Sequence, residues 1–175
     1  MKLLIDMDGV IVDLNKGFRE AFHKMYPGIE LPEPNRENYG FYGHYPQELH
    51  SYMDQVVNSE GFNTNLPIMP GAKEALEELV QKYDLFICST PSMTNTNCAM
   101  EKYDWVKKHF GQEWLKKIIL TYDKTIVDGD ILVDDKPFIK GVQEPNWEQI
   151  LYTQPYNKYF KDRRRLTWDN WQEVI

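Results

Sequence analysis

Cysteine is scarce in this chain of 175 residues: Cys88 and Cys98 are the only two, and they are not spaced as a metal-binding or redox pair. Reduced thiols are therefore expected, with Cys88 buried in a strand. Long apolar runs are missing too, and acids fall within residues 1–20, where a signal peptide needs an unbroken apolar stretch. The expectation is a soluble, untargeted, cytoplasmic protein with no membrane partner. Positive charge is in deficit, with 20 Lys and Arg against 27 Asp and Glu and a formal charge of -7. That excludes a general binder of nucleic acid polymers, whose phosphate backbones demand a cationic surplus. An anionic small molecule stays open as a substrate if a cation and a few lysines compensate its charge locally. His23, His44, His50 and His109 lack metal-ligand spacing, and neither an internal repeat nor a low-complexity segment occurs.

What is present is globular: 42% of residues are hydrophobic and 27% charged, over a length that fits one well-packed core with an inserted lobe. The chain begins with Leu3-Leu4-Ile5, a continuous apolar run that reads as a strand buried on both faces, and the run stops at Asp6-Met7-Asp8-Gly9. Two carboxylates beside a glycine at a strand end can gather hard oxygen ligands around a magnesium ion. Asp and Gly are also ordinary turn residues, so this motif alone leaves a turn and a metal site equally open.

From Leu14 the spacing turns helical, with Leu14, Phe18, Ala21, Phe22 and Met25 on one face, until Tyr26-Pro27-Gly28 ends it. Residues 27–46 are rich in Pro and Gly, yet too aromatic for a disordered linker. A second helix is predicted from about Gln47 to Asn58. Residues 14–66 thus read as a small helical lobe inserted after the first strand. Strands then alternate with helices. A helix carries Ala72, Ala75, Leu76 and Leu79, the strand Leu85–Cys88 follows, and a helix spans about Asn97 to Phe110. Strands at Ile118–Leu120, Ile131–Val133 and Gln149–Thr153 come next, and a terminal helix is predicted to carry Trp168, Trp171 and Val174. This alternation predicts an α/β fold with a parallel sheet.

The apolar strands end in polar groups of a particular kind. Asp6 and Asp8 follow the first, Ser89 and Thr90 the second, Lys124 stands shortly after the third, and Asp134 and Asp135 follow the fourth. In a parallel sheet these ends share one edge, so the groups converge. Together they supply a nucleophilic carboxylate, a second acid, hydroxyl donors, an ammonium and further acids, which is the equipment of phosphoryl transfer through an aspartyl-phosphate.

On these motifs the sequence resembles the haloacid dehalogenase (HAD) superfamily of phosphotransferases. Within it, Glu101–Val106, Leu120–Thr125, Leu132–Pro137 and Arg163–Leu166 with Trp168 are similar to the 5'(3')-deoxyribonucleotidase family over almost the whole chain. The resemblance implies a Rossmann-like three-layer core of residues 1–13 and 67–175 under a helical cap of residues 14–66. It also implies a magnesium-dependent phosphatase of nucleoside monophosphates. Asp6 would be nucleophile and metal ligand, and Asp8 the acid and base, with its carbonyl on the metal. Asp135 would be a further ligand and Asp134 a support. Ser89, Thr90, Lys102 and Lys124 would hold the phosphate, and Phe41, Tyr42 and Lys136 the nucleoside. Lys136 stands where the family more often has Arg, which leaves base preference open. Arg163–Arg165 are expected to pin the tail through ion pairs, and a homodimer stays open. Two other readings compete: a phosphatase of another small phosphomonoester, and a nucleotide-binding protein without catalysis.

Overall fold

In a computed structural model, which describes residues 1–37 and 39–175, every strand expected from a continuous apolar run forms. The strands are β1 (Lys2–Ile5), β2 (Asp84–Ser89), β3 (Ile118–Leu120), β4 (Ile131–Asp134), β5 (Glu148–Tyr152) and β6 (Arg165–Leu166). They make one sheet in the order β3-β2-β1-β4-β5-β6, with each neighbouring pair parallel. The chain winds outward from β1 through β2 to β3, then returns to the other side of β1. The crevice between β1 and β4 is therefore a topological switch point, where open parallel sheets bind ligands.

Strand alternation explains why the runs are apolar throughout. Leu3, Ile5, Leu85, Ile87 and Val133 join one buried cluster with Leu76 and Leu79 of α3 (Ala72–Lys82) and Trp105 and Val106 of α4 (Cys98–Phe110). Leu4, Cys88 and Leu132 point to the other face, covered by Trp147, Val127 and Ile139 from the connections flanking β4. Each fully buried aliphatic side chain contributes about 1.5–3 kcal/mol of transfer free energy, which holds the helices to one face of the sheet and the connections to the other. Both cysteines are free and buried, and burial pushes the Cys88 thiol up to about 11.

Between β1 and α3 lie α1 (Leu14–Met25), a 3-10 turn at Phe41–His44 and α2 (His50–Val57). The Asp13 carboxylate caps α1 by accepting from the Lys16 N–H at 3.1 Å. Phe18 and Phe22 of α1 share the main core with Met53 and Val56 of α2. A side chain at Gly17 would lie 2.5 Å from Leu66 Cδ2, so glycine is what lets α1 press against the returning chain. Entry and exit of this segment run side by side: Val12 bridges Ile68, Asp13 N–H donates to the Pro67 carbonyl at 2.9 Å, and Met69 N–H to the Ile11 carbonyl at 2.9 Å.

Three expectations are corrected. The helix predicted from Gln47 to Asn58 begins as a 3-10 turn, Gln47–Leu49, before α2. The predicted terminal helix is one 3-10 turn, Trp171–Glu173. Trp168, Trp171 and Val174 repeat every three residues, the period of a 3-10 rather than an α-helix. Just before that turn, Trp168 anchors the tail by donating its indole N–H to the Val10 carbonyl at 2.8 Å. Finally, the arginine run pins the tail largely through neutral acceptors, with Arg165 opening β6. Arg164 pairs with Glu148 at 2.7 Å, while Arg163 donates to Gln149 Oε1 at 3.0 Å and Arg165 to the Phe160 carbonyl at 2.7 Å.

Candidate active site

Asp6 follows directly on β1, and its N–H still donates to the Val133 carbonyl at 2.8 Å, so the sheet ladder sets its position. Asp134 ends β4 on the neighbouring strand and Asp135 comes next. One carboxylate oxygen from each of these three buried acids lies within 4.8 Å of the other two. Lys124, in the short turn after β3, reaches into this cluster, donating to Asp134 Oδ2 at 2.6 Å and to Asp6 Oδ1. Burial alone would lower the Lys124 pKa, but the Asp6 and Asp134 charges overcome it and hold the ammonium firmly protonated.

One ammonium does not neutralise three acids. Burial first, and then the neighbouring acids, raise the pKa of Asp134 above the ordinary carboxylate value and that of Asp135 well above it. Such a cluster of hard oxygen donors has the composition of a divalent-cation site. The backbone accommodates it at Gly9, whose φ is +79° and where a Cβ would stand 2.7 Å from Asp135 Oδ2.

Asp8 faces the same space from the turn after Asp6. Its Oδ2 accepts from Lys102 Nζ of α4 at 2.7 Å, while its Oδ1 is buried without a hydrogen-bond partner among the described residues. Ser89, at the end of β2, is likewise buried with its Oγ unpartnered. Both open onto a cavity of about 250 Å³. Its floor is Asp6, Asp8, Ser89, Thr90 and Asp135, and its roof is Tyr39, Gly40, Phe41 and His44 from the inserted segment. A polar floor with unsatisfied donors and acceptors beneath an aromatic roof suits a ligand with an anionic end and a flat apolar end.

The profile of the family described as "5' nucleotidase, deoxy (Pyrimidine), cytosolic type C protein" matches residues 1–175. A protein of Bordetella bronchiseptica is 42% identical over 177 residues, spanning 100% of this chain and 95% of its own. The human cytosolic-type 5'(3')-deoxyribonucleotidase is 37% identical over 189 residues, spanning 100% and 93%. The chain belongs to the 5'(3')-deoxyribonucleotidase family. Membership makes it a phosphoric monoester hydrolase. A haloacid dehalogenase-like hydrolase from Streptococcus pneumoniae matches its fold with a TM-score of 0.61 at 16% identity, over 98% of this chain and 96% of that one. A HAD-superfamily hydrolase from Geobacter sulfurreducens matches with a TM-score of 0.56 at 13% identity, over 99% and 95%. At these identities the likeness is one of fold, and it is the HAD fold.

In this deoxyribonucleotidase-family chain the residues singled out from sequence divide in three. Asp6, Asp8, Ser89, Thr90 and Asp135 form the floor, with Phe41 and Lys136 also lining the cavity. Asp134, Lys124 and Lys102 stand behind it, each at most 3% exposed, and each lysine is paired with a floor acid. Tyr42 does not line the cavity. Its hydroxyl donates to Asp54 Oδ1 of α2 at 2.6 Å, because consecutive residues of a 3-10 turn point in different directions, and Phe41 takes the inward one.

Tyr39, His44 and Tyr156 escaped the sequence reading. Tyr156 lies just after β5 and donates its hydroxyl to Asp135 Oδ2. The rule that located the other groups, polar residues after a buried strand, also holds for Gln154-Pro155-Tyr156-Asn157 after β5. No comparable rule reaches Tyr39 or His44, which come from an irregular segment. Among the described residues no helix is long and apolar enough to cross a membrane.

Proposed function

We propose that the chain is a magnesium-dependent 5'(3')-nucleotidase that hydrolyses deoxyribonucleoside and ribonucleoside monophosphates through an aspartyl-phosphate on Asp6. The observation that carries this reading is the Asp6 carboxylate at the switch point, paired with Lys124 and lining a cavity together with Asp8 and Ser89, whose buried Oδ1 and Oγ have no hydrogen-bond partner among the described residues. Residues 14–66 act as a cap over a core of 1–13 and 67–175. The side-by-side entry and exit segments at 11–13 and 67–69 support that boundary.

A substrate phosphate would take the Ser89 hydroxyl as donor, with Thr90 beside it, and would share the charge of Lys124 and Lys102. Asp6 attacks phosphorus while the bond to the nucleoside oxygen breaks, and Asp8 protonates that oxygen as it leaves. Asp8 then takes a proton from water, whose oxygen attacks phosphorus and breaks the bond to Asp6, releasing phosphate. Asp6, Asp135 and the Asp8 carbonyl would hold magnesium, with Asp134 in support, and the ion when bound would offset negative charge on the phosphoryl oxygens. Phe41 supplies an aromatic edge and Lys136 a cation at the nucleoside end. A cytoplasmic location belongs to the same reading and rests on the cytosolic-type relative.

Asp6→Asn keeps the size of the side chain and removes the nucleophile. Turnover of every nucleoside monophosphate should fall by about 10⁴-fold or more, with the melting curve retained. Wild-type turnover in that variant would sink the covalent mechanism. A panel of nucleoside and sugar monophosphates, assayed with magnesium and with EDTA, separates this reading from a phosphatase of other small esters, and binding without turnover would mark a catalytically silent nucleotide binder.

A further inference from the structure

We propose that Tyr156 is a positioning residue for the cation site: its phenol holds one oxygen of Asp135 and so fixes how the carboxylate presents the other. This rests on the reading of Asp135 as a cation ligand.

Tyr156 stands on a segment that is tied to the site at several points. Its own hydroxyl donates to Asp135 Oδ2. Asn157 Nδ2 donates to the Asp135 carbonyl at 2.8 Å and to the Tyr152 carbonyl at 2.8 Å, locking the Asp135 backbone to the end of β5. Gln154 Nε2 donates to the Gly9 carbonyl at 2.6 Å, next to Asp8. The phenol is also held from above. The His44 ring stacks on it at 5.6 Å and 28°, Tyr39 meets it edge-on at 5.7 Å, and the Arg36 guanidinium lies 5.7 Å over it. Arg36 Nη2 donates in turn to Gln154 Oε1 at 2.7 Å.

A carboxylate that ligates a cation does so reproducibly only if its second oxygen is engaged, since otherwise it rotates and loses entropy on binding. Among the described residues, Tyr156 is the side chain that donates to the Asp135 carboxylate. It is buried and packed on three sides, so the donor is pre-oriented. Loss of a group that orients a metal ligand in this way characteristically weakens metal affinity by about 10- to 100-fold.

Tyr156→Phe deletes the donor and keeps the ring. Titration calorimetry of the purified protein with magnesium alone should show affinity lower by about tenfold or more. The concentration of magnesium giving half-maximal turnover should rise in step, with kcat at saturating magnesium close to wild type. A role in packing alone would lower the melting temperature and leave magnesium affinity untouched. Magnesium affinity within twofold of wild type, in a variant that melts like wild type, overturns the proposal. If Tyr156→Phe does not melt cooperatively, Tyr156→His carries the test. Its ring occupies the same stack but ends short of the carboxylate, so the same loss is expected and wild-type affinity again overturns the proposal. If wild-type protein binds no magnesium, and Asp135→Asn behaves identically, the cation reading itself has failed and this inference falls with it.

Discussion

At the floor of the cavity Asp6 is 6% exposed and Asp135 5%, and both are carried by the ends of adjacent strands. At the roof Tyr39 is 49% exposed and sits in an irregular segment. The floor is charged and mutually paired, and sheet hydrogen bonds set its geometry. The roof is aromatic and packs edge-on, as Phe41 does against Phe18 at 4.8 Å. On the proposed function, the contrast divides the tasks. Bond breaking needs charges held to a fraction of an ångström, which backbone ladders provide. Recognition of a flat apolar group needs surface and tolerates adjustment, which loop aromatics provide.

On that division, substitutions at the floor and at the lysines behind it should act on turnover, and on stability too where a buried charge loses its partner, whereas roof substitutions should act on substrate affinity. After Asp6→Asn, the largest effect on turnover is expected from Lys124→Met, just behind the floor. It leaves Asp6 and Asp134 buried without their counter-ion, so unfolding free energy should drop by about 3–5 kcal/mol in denaturant titrations. Turnover should fall by about a hundredfold or more. A stable, active Lys124→Met protein would erase the distinction. Phe41→Ala should raise KM by about tenfold, the worth of one aromatic contact, while kcat stays within about threefold. A kcat loss larger than the KM change would mean that the roof also shapes the chemistry. Tyr42→Phe, one position away, should change neither constant beyond about twofold, because its hydroxyl serves Asp54 outside the cavity.

The smallest effect lies outside both regions and provides a baseline. His109 packs on Trp105 at 4.3 Å, and burial together with Lys108 and Lys73 lowers its pKa below 6.5. A base whose folded pKa is lowered binds its proton more readily when unfolded. Stability is therefore retained above pH 6.5 and declines as pH falls from there through the lowered value. Melting temperature followed from pH 7 to pH 5 should show a small decline that His109→Gln abolishes; an unchanged profile in that variant would assign the decline elsewhere.

Legibility in the sequence followed the same division. The floor was readable because a buried strand announces itself as an apolar run, and whatever polar residue ends it must sit at the sheet edge. That rule places Asp6, Ser89 and Asp135 at one edge; their roles came from the family resemblance. Lys124 was reachable because its turn follows β3 so closely. The roof was not readable in this way. Phe41 and Tyr42 are adjacent aromatics in one Pro- and Gly-rich stretch, and only the 3-10 turn at Phe41–His44 decided that the first lines the cavity and the second pairs with α2. The tail misled for a related reason. Its tryptophans are spaced for burial, and a three-residue repeat fits a 3-10 turn as well as one face of an α-helix.

The sequence by itself determined where the buried strands from β1 to β5 lie and which acids and hydroxyls stand at their ends, because periodicity and strand termination are local properties. Tertiary structure alone decided that Lys102 is spent on Asp8, that Tyr156 reaches Asp135 from 21 residues away, and that Tyr39 and His44 close the cavity. Those are contacts between segments remote along the chain, and no local pattern encodes which remote partner a side chain will meet once the sheet brings the ends together.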